Sequence, residues 1–470
     1  MLFNSFEYAV FLPLVLILYW TALRKRQNAL LLVASYVFYG SWDWRFLGLI
    51  IVSTLTDFYV SRGLEGSKDP HRRRLLLATS VAVNLGILGF FKYFDFFIDS
   101  FAGLLSGFGF DPNVSVLHIV LPVGISFYTF QTLGYTIDVY RRRMEPVRSL
   151  LTFAVYVAYF PQLVAGPIER ARRLVPQFHK ARTRLSSEAI RSGVLLILIG
   201  LFKKVVIADG LASSINAAFG DAAGAGAVRL LVNLYAFALQ IYGDFSGYTD
   251  IARGSSRLMG IELMENFHQP YLSVNITHFW RTWHVSLSTW LRDYLYVPLG
   301  GNRRGPRRIY INLMLTMLLG GLWHGAAWTF VVWGGLHGSY LALHRRFRGA
   351  AAKRERDPFT RRDILPAVAT FHLVCLSWIF FRATSFTQAW NYLTGILTLR
   401  GGPVDTGAIS LVVPAVLAML IIDLAQRNAA DETVLLRWAP AARGIAYGMM
   451  VLAVVVFSGA DTVPFIYFQF

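Results

Sequence analysis

The stretch IYINLMLTMLLGGLWHG, residues 309–325, is an apolar run that ends in two glycines, a tryptophan and His324. Over the whole 470-residue chain, 55% of residues are hydrophobic, 15% are charged and the mean hydropathy is +0.48. Soluble domains carry about 25% charged residues. The composition therefore predicts an all-α, polytopic membrane protein. Other apolar windows lie at residues 9–23, 75–91, 195–201, 329–343 and 445–456.

Many of these windows are shorter than the ~20 residues that span the hydrocarbon core, and glycine, proline or polar residues interrupt them. We expect about ten to twelve transmembrane helices. One membrane-embedded domain is predicted over residues 1–470, with N-terminal helices at 1–143, a core that carries the polar motifs at 144–348 and C-terminal helices at 349–470. No internal repeat is visible, which disfavours a transporter built from inverted repeats.

The net charge of +18 comes from lysines and arginines that lie in short clusters between apolar runs. This arrangement is the positive-inside pattern of membrane proteins, so membrane lipids rather than nucleic acid are the expected partners. The clusters lie at residues 24–26, 72–74, 141–143, 170–184, 303–308 and 345–362.

His324 has the most hydrophobic neighbourhood of any histidine in the chain, and Gly320, Gly321 and Gly325 leave room around it. Glycines permit a kink or a close approach of another backbone or of a substrate. Because ionisable groups at membrane depth are costly, a functional role is the default interpretation. The alternative is a buried histidine that is hydrogen-bonded to a neighbouring helix.

His284 ends the stretch FWRTWH, residues 279–284, and the polar residues Ser288, Arg292 and Asp293 follow it. On a helix, His284 and Ser288 would share one face. An interfacial histidine among anchoring tryptophans, Trp283 included, is an equal alternative. Residues 266–308 contain no uninterrupted apolar span, which predicts a re-entrant or cavity-lining segment.

Two further motifs carry polar residues that could support a reaction. Asp244, Ser246 and Asp250 lie in YGDFSGYTD, residues 242–250, and a carboxylate there could orient an imidazole or hold a substrate hydroxyl. Helix capping explains either aspartate equally well. In PLGGNR, residues 298–303, glycine amides beside Asn302 and the following arginines could hold a phosphate-bearing donor, although topology-setting charge is the more ordinary explanation.

Metal catalysis is disfavoured because neither histidine has an HExxH, an HxH or a cysteine-rich companion spacing. A nucleophilic serine in a GxSxG elbow is also missing from the sequence. A histidine base that acts directly on a substrate hydroxyl remains as the chemistry that the motifs favour.

The joined motifs WHVSLSTWLRDYLY (283–296), PLGGNR (298–303) and LWHG (322–325) resemble the membrane-bound O-acyltransferase family. The resemblance is to its bacterial branch, which contains alginate O-acetyltransferase-like and D-alanyl transfer protein-like members. The stretches MLFNS (1–5), FLP (11–13), ASYVFYG (34–40) and DFSGY (244–248) extend the resemblance over most of the chain.

The resemblance implies helices around a central funnel or tunnel, with His324 as the signature histidine of the family and His284 as the second histidine of the branch. It implies O-acyl transfer in the bacterial inner membrane, with no bound cofactor and with acetyl-CoA as the donor substrate. A periplasmic acetyltransferase or another polysaccharide-modification protein would be the partner, and the polysaccharide acceptor could be reached indirectly. Trp283 and Trp323 would support the histidines. Alternatives are D-alanyl transfer to teichoic acid, a polysaccharide or lipid transporter and a secretion scaffold.

Overall fold

The computed structural model describes residues 1–110, 117, 119–164, 166–348, 357–458 and 464–466. Helices make up 77% of the structure, and these ranges contain no strand, which confirms the all-α prediction. The chain separates into two compact units, residues 1–186 with 255–263 and residues 187–254 with 264–470. The division into three blocks at 143/144 and 348/349 stays a prediction, and residues 349–356 of the basic linker lie outside the described ranges.

The first unit consists of helices, one of which shows a typical N-cap. Asp69 caps one helix, where its carboxylate accepts the backbone N–H groups of His71 and Arg72 and Pro70 occupies the first turn. An N-cap side chain satisfies amides that have no partner inside the helix, and proline lacks the amide that would be unsatisfied there. The helices are α1 (Phe6–Trp20), α2 (Gln27–Asp43), α3 (Leu47–Gly66), α4 (Pro70–Leu88), α5 (Phe94–Gly107), α6 (Ile125–Tyr140), α7 (Leu150–Ala158), α8 (Phe160–Leu163) and α9 (Ala171–His179).

The second unit carries both motif histidines. Its helices are α10 (Ser187–Leu201), α11 (Gly210–Gly220), α12 (Ala227–Arg257), α13 (Ile276–Thr282), α14 (Val285–Leu291), α15 (Gly305–His324), α16 (Trp328–Arg348), α17 (Ile364–Arg382), α18 (Phe386–Leu397), α19 (Thr406–Ala429) and α20 (Pro440–Phe457). The last three residues of α12 belong to the first unit. A π-helical segment, Phe202–Asp209, joins α10 to α11, and another, Arg292–Tyr296, follows α14.

The segment 266–308 is built from short pieces up to the start of α15. A 3₁₀ turn at Pro270–Leu272 precedes α13 and α14, which have seven residues each. His284 and Ser288 would share a face only if both were helical, and this condition is not met, because His284 has φ 44° and precedes the first residue of α14. A left-handed residue cannot continue an α-helix.

Five helical stretches are long and apolar enough to cross a membrane within the described ranges. The long helix α12 is not among them, and it carries Asp244, Asp250 and Arg253. The count of ten to twelve spans and the central funnel therefore stay predictions. The five stretches are Arg24–Gly66, Pro70–Gly107, Arg361–Arg382, Thr406–Ala429 and Pro440–Phe457.

Helices α15 and α16 meet at glycines, and this contact positions the first histidine. A β-carbon at Gly321 would overlap the carbonyl oxygen of Phe330, and one at Gly334 would overlap the carbonyl oxygen of Met317. The two backbones therefore touch directly, as small residues permit in membrane helices.

Candidate active site

His324 is the last residue of α15 and is 3% exposed. Its imidazole lies among aromatic rings, with centroid distances of 5.0 Å to Trp323, 5.0 Å to Trp333 and 5.5 Å to Phe381. Gly325 follows, and a β-carbon there would overlap the ring of Phe330. The glycines that the sequence places around His324 are therefore needed for close packing.

His284 lies in the break between α13 and α14 and is fully buried. Its ring centroid is 6.4 Å from that of His324, 6.0 Å from Trp323 and 4.6 Å from Phe245 of α12. The structure thus brings together the two histidines that the sequence singled out.

Asn266 is the polar partner of His284. Its Oδ1 lies 3.3 Å from His284 Nδ1, and it accepts hydrogen bonds from the backbone N–H of Ser286 at 3.1 Å and from the Ser286 hydroxyl at 2.8 Å. Backbone bonds hold the segments together, since Val285 N–H donates to Asn266 O at 2.9 Å and His268 N–H donates to Thr282 O at 3.0 Å. Backbone hydrogen bonds before and after His284 therefore hold it in its left-handed conformation.

The two aspartates of α12 pair with lysines of the π-helical segment Phe202–Asp209. Lys203 Nζ lies 2.8 Å from Asp250 Oδ2, and Lys204 Nζ lies 2.9 Å from Asp244 Oδ1. Asp244 also accepts the backbone N–H of Ile466 at 2.6 Å. These carboxylates thus neutralise buried ammonium groups, which a lone buried charge requires. The idea that either aspartate orients an imidazole finds no support in these contacts.

The remaining residues that the sequence predicts for the site lie in three kinds of surroundings. Trp283 is fully buried and stacks on Phe279 at 5.5 Å, whereas the Ser288 hydroxyl donates to Trp283 O at 3.1 Å. Arg292 and Asp293 form an ion pair with each other at 2.8 Å on a more exposed surface. Asn302, which is also exposed, accepts a hydrogen bond from the Tyr296 hydroxyl at 2.7 Å.

A small cavity in the second unit is lined by polar side chains that include Asn266, and we call it the polar cavity. Its volume is about 40 Å³, enough for water molecules. Ser246, Thr249, Arg253, Glu265, Asn266 and His268 are among the residues that line it. Arg253 forms an ion pair with Glu432, and His268 Nδ1 lies 3.0 Å from Glu265. Neither motif histidine is among the lining residues described.

Comparison with known proteins identifies the family. The model of the membrane-bound O-acyltransferase family matches residues 137–387, which include both histidines and Asn266. The chain is a membrane-bound O-acyltransferase. It is 45% identical to a probable alginate O-acetylase of Azotobacter vinelandii over 81% of this chain and 75% of the relative. Another probable alginate O-acetylase, from Pseudomonas putida, is 39% identical over 98% of each chain.

Similarity extends to two other kinds of O-acyltransferase. A peptidoglycan O-acetyltransferase of Helicobacter pylori is 36% identical over 85% of this chain and 80% of the relative. A teichoic acid D-alanyltransferase of Bacillus subtilis is 30% identical over 56% of this chain and 69% of the relative. The family and the acyl-transfer activity predicted from the motifs are confirmed.

Sequence reasoning missed two neighbours of His284 in this O-acyltransferase, Asn266 and Phe245. Asn266 lies 18 residues before the histidine, and the chain between them is broken into a 3₁₀ turn, a seven-residue helix and irregular segments, so that no single helix or strand relates the two positions. Phe245 lies inside DFSGY, residues 244–248, where the polar residues on either side drew attention instead. Only the folded chain brings these side chains to the imidazole.

Proposed function

We propose that this O-acyltransferase takes an acetyl group from acetyl-CoA on the cytoplasmic side of the bacterial inner membrane and passes it on for O-acetylation of an exported polysaccharide. Similarity to alginate O-acetylases over 81–98% of the chain supports the acetyl group and the polymer class. A periplasmic acetyltransferase or another polysaccharide-modification protein would complete the reaction, so the polysaccharide need not enter the membrane.

The chemistry proposed for His324 is general-base catalysis. The imidazole takes the proton of an acceptor hydroxyl while the hydroxyl oxygen bonds to the thioester carbonyl carbon. The carbon–sulfur bond then breaks, and the departing thiolate takes the proton back from the imidazolium, so that an ester and a free thiol result. A positioned base contributes typically ~10²- to 10⁴-fold to the rate.

The observation that supports this proposal is the 6.4 Å distance between the ring centroids of two buried histidines, one at the end of α15 and one in the break between α13 and α14. The packing of Trp323, Trp333 and Phe381 around His324 would exclude bulk water and limit hydrolysis of the thioester. The supporting roles of Trp283, Trp323 and Ser246 are part of the same proposal.

The first experiment compares variants in liposomes that are supplied with labelled acetyl-CoA, the polysaccharide-modification partner and the acceptor polymer. His324→Ala and His324→Gln are expected to lower acetyl transfer ~10²- to 10⁴-fold while the protein still inserts and keeps its melting temperature. His372→Gln is the matched control, since His372 is a partly exposed histidine of α17 that bonds Tyr235 at 2.8 Å. Near-normal transfer by either His324 variant would overturn the assignment of the base.

D-alanyl transfer to teichoic acid is the second candidate, and the similarity to the Bacillus subtilis enzyme favours it over other acyl groups. The two donors, acetyl-CoA and a D-alanyl carrier-protein thioester, should be offered in parallel to the same liposomes. Label from acetyl-CoA alone is expected in the polymer. Label from the D-alanyl donor alone would replace the acetyl proposal with the second candidate.

A further inference from the structure

The Nδ1 side of the His284 ring faces oxygen atoms that accept hydrogen bonds. The nearer is Asn266 Oδ1 at 3.3 Å, and the Ser286 hydroxyl oxygen lies at 3.4 Å. Which nitrogen of a neutral imidazole carries the proton is decided by the groups that it faces. The orientation of the Asn266 amide and of the Ser286 hydroxyl therefore determines the tautomer of His284.

A backbone group orients the Asn266 amide. The N–H of Ser286 can only donate, and the Asn266 side-chain atom 3.1 Å away must therefore be the oxygen. The opposite orientation would place the amide NH₂ against that backbone N–H, donor against donor, in a fully buried location. Asn266 also lines the polar cavity, where water can accept the bonds of its NH₂ group.

The Ser286 hydroxyl donates its hydrogen to Asn266 rather than to His284. Its Oγ lies 2.8 Å from Asn266 Oδ1, a shorter contact than its 3.4 Å distance to His284 Nδ1. A hydroxyl has one hydrogen to donate. With that hydrogen on Asn266, the serine presents a lone pair to the ring, so both neighbours of Nδ1 accept.

We infer that Asn266 is a positioning residue that holds His284 as its Nδ1–H tautomer, so that Nε2 carries the lone pair and His284 serves acyl transfer as a proton or hydrogen-bond acceptor. This inference rests on the proposed function for its catalytic meaning. A neutral Nδ1–H imidazole has no Nε2–H to donate, which excludes polarisation of the thioester carbonyl oxygen through that atom.

The tautomer can be measured on the intact enzyme without any substrate. Protein labelled with ¹⁵N-histidine is placed in lipid bilayers, and the solid-state NMR signals of His284 are those that disappear in His284→Asn. Asparagine tolerates the left-handed backbone at this position, which makes it a suitable replacement. A protonated Nδ1 and an unprotonated Nε2 are expected. The reverse pattern would overturn the inference whatever group the enzyme transfers.

Kinetics test the positioning role separately. Asn266→Leu removes the acceptor and is expected to lower kcat ~10²-fold with KM for acetyl-CoA within about twofold. Asn266→Asp keeps an oxygen that accepts the same bonds, and we expect it to recover kcat to within about tenfold of the wild-type value. Asn233→Leu is the matched control, because Asn233 is a buried asparagine of α12 that bonds Ser214.

Two outcomes separate this inference from the proposed function. If folded Asn266→Leu keeps wild-type kcat, or if its His284 signals match those of the wild type, the positioning role is overturned. If the wild-type enzyme shows the Nδ1–H tautomer but transfers no acetyl group, the proposed function fails and the tautomer assignment stands.

Discussion

Two buried polar clusters, one in each unit, differ in how completely their hydrogen bonds are satisfied. In the first unit, Asp57 of α3 accepts bonds from Ser80, from Asn84 at 2.8 Å and from Thr136 at 2.9 Å. Asn84 Oδ1 in turn accepts from Ser53 at 2.7 Å and from Thr132 at 3.2 Å. Each of these six side chains has a hydrogen-bond partner within the cluster.

The second cluster, around Asn266 and the polar cavity, is incomplete. Within the described ranges, Ser246 Oγ, Thr249 Oγ1 and Asn266 Nδ2 are buried and contact no protein group that could form a hydrogen bond with them. Buried polar groups without protein partners are costly unless water or a ligand satisfies them. The contrast indicates that the first cluster fastens helices α3, α4 and α6 together, whereas the second leaves buried polar atoms that water or a ligand can satisfy.

The substitution with the largest expected effect disrupts the cluster whose hydrogen bonds are complete. Asp57→Leu would leave the donors of Ser80, Asn84 and Thr136 without an acceptor, and each unsatisfied buried group costs ~1–3 kcal/mol. We expect the free energy of unfolding to fall by at least about 3 kcal/mol, seen as a lower melting temperature in lipid nanodiscs. Acetyl transfer per folded molecule should be unchanged. A loss of turnover without a loss of stability would contradict the contrast.

A matched pair of threonine substitutions sharpens the comparison. Thr136→Val removes a hydroxyl that donates to Asp57, and we expect a loss of ~1.5–3 kcal/mol because the acceptor is a carboxylate. Thr249→Val removes a hydroxyl with no protein partner in the described chain, and its cost should stay within about 0.5 kcal/mol. Equal losses of stability in the two variants would show that the clusters do not differ.

The smallest expected effect concerns the backbone at His284. His284→Gly and His284→Ala both delete the imidazole, but only glycine adopts φ 44° without steric cost. The glycine variant should be the more stable of the two by roughly 0.5–1 kcal/mol in thermal unfolding. Thr289, inside α14, supplies the control, where alanine should be more stable than glycine. The same order at both positions would argue against a strained His284.

Sequence patterns predicted the helical class and singled out His284 and His324, which the structure places 6.4 Å apart between ring centroids, because those features are local. Apolar runs and a histidine flanked by glycines can be recognised without a fold. Asn266 could not be found this way, since its bond to His284 depends on two segments that pair only after folding.

The aspartates of DFSGYTD, residues 244–250, illustrate side chains whose partners the sequence left open. Their position after an apolar run is compatible with a catalytic or a capping role. In the structure, however, they form ion pairs with Lys203 and Lys204. Those lysines lie on a π-helical segment, whose wider turns change which residues face α12. Since no sequence period announces a π-helix, the pairing could not be predicted.

His324 occupies the final position of α15, at the carbonyl end of a 20-residue helix. The peptide dipoles of such a helix sum to about half a negative charge at that end, worth ~0.3–2 kcal/mol to a nearby cation. In the proposed base role of His324, the helix itself would supply the counter-charge when the imidazole receives a proton. The proposed base could then lie among aromatic rings while the end of its own helix lowers the energy of the charged form.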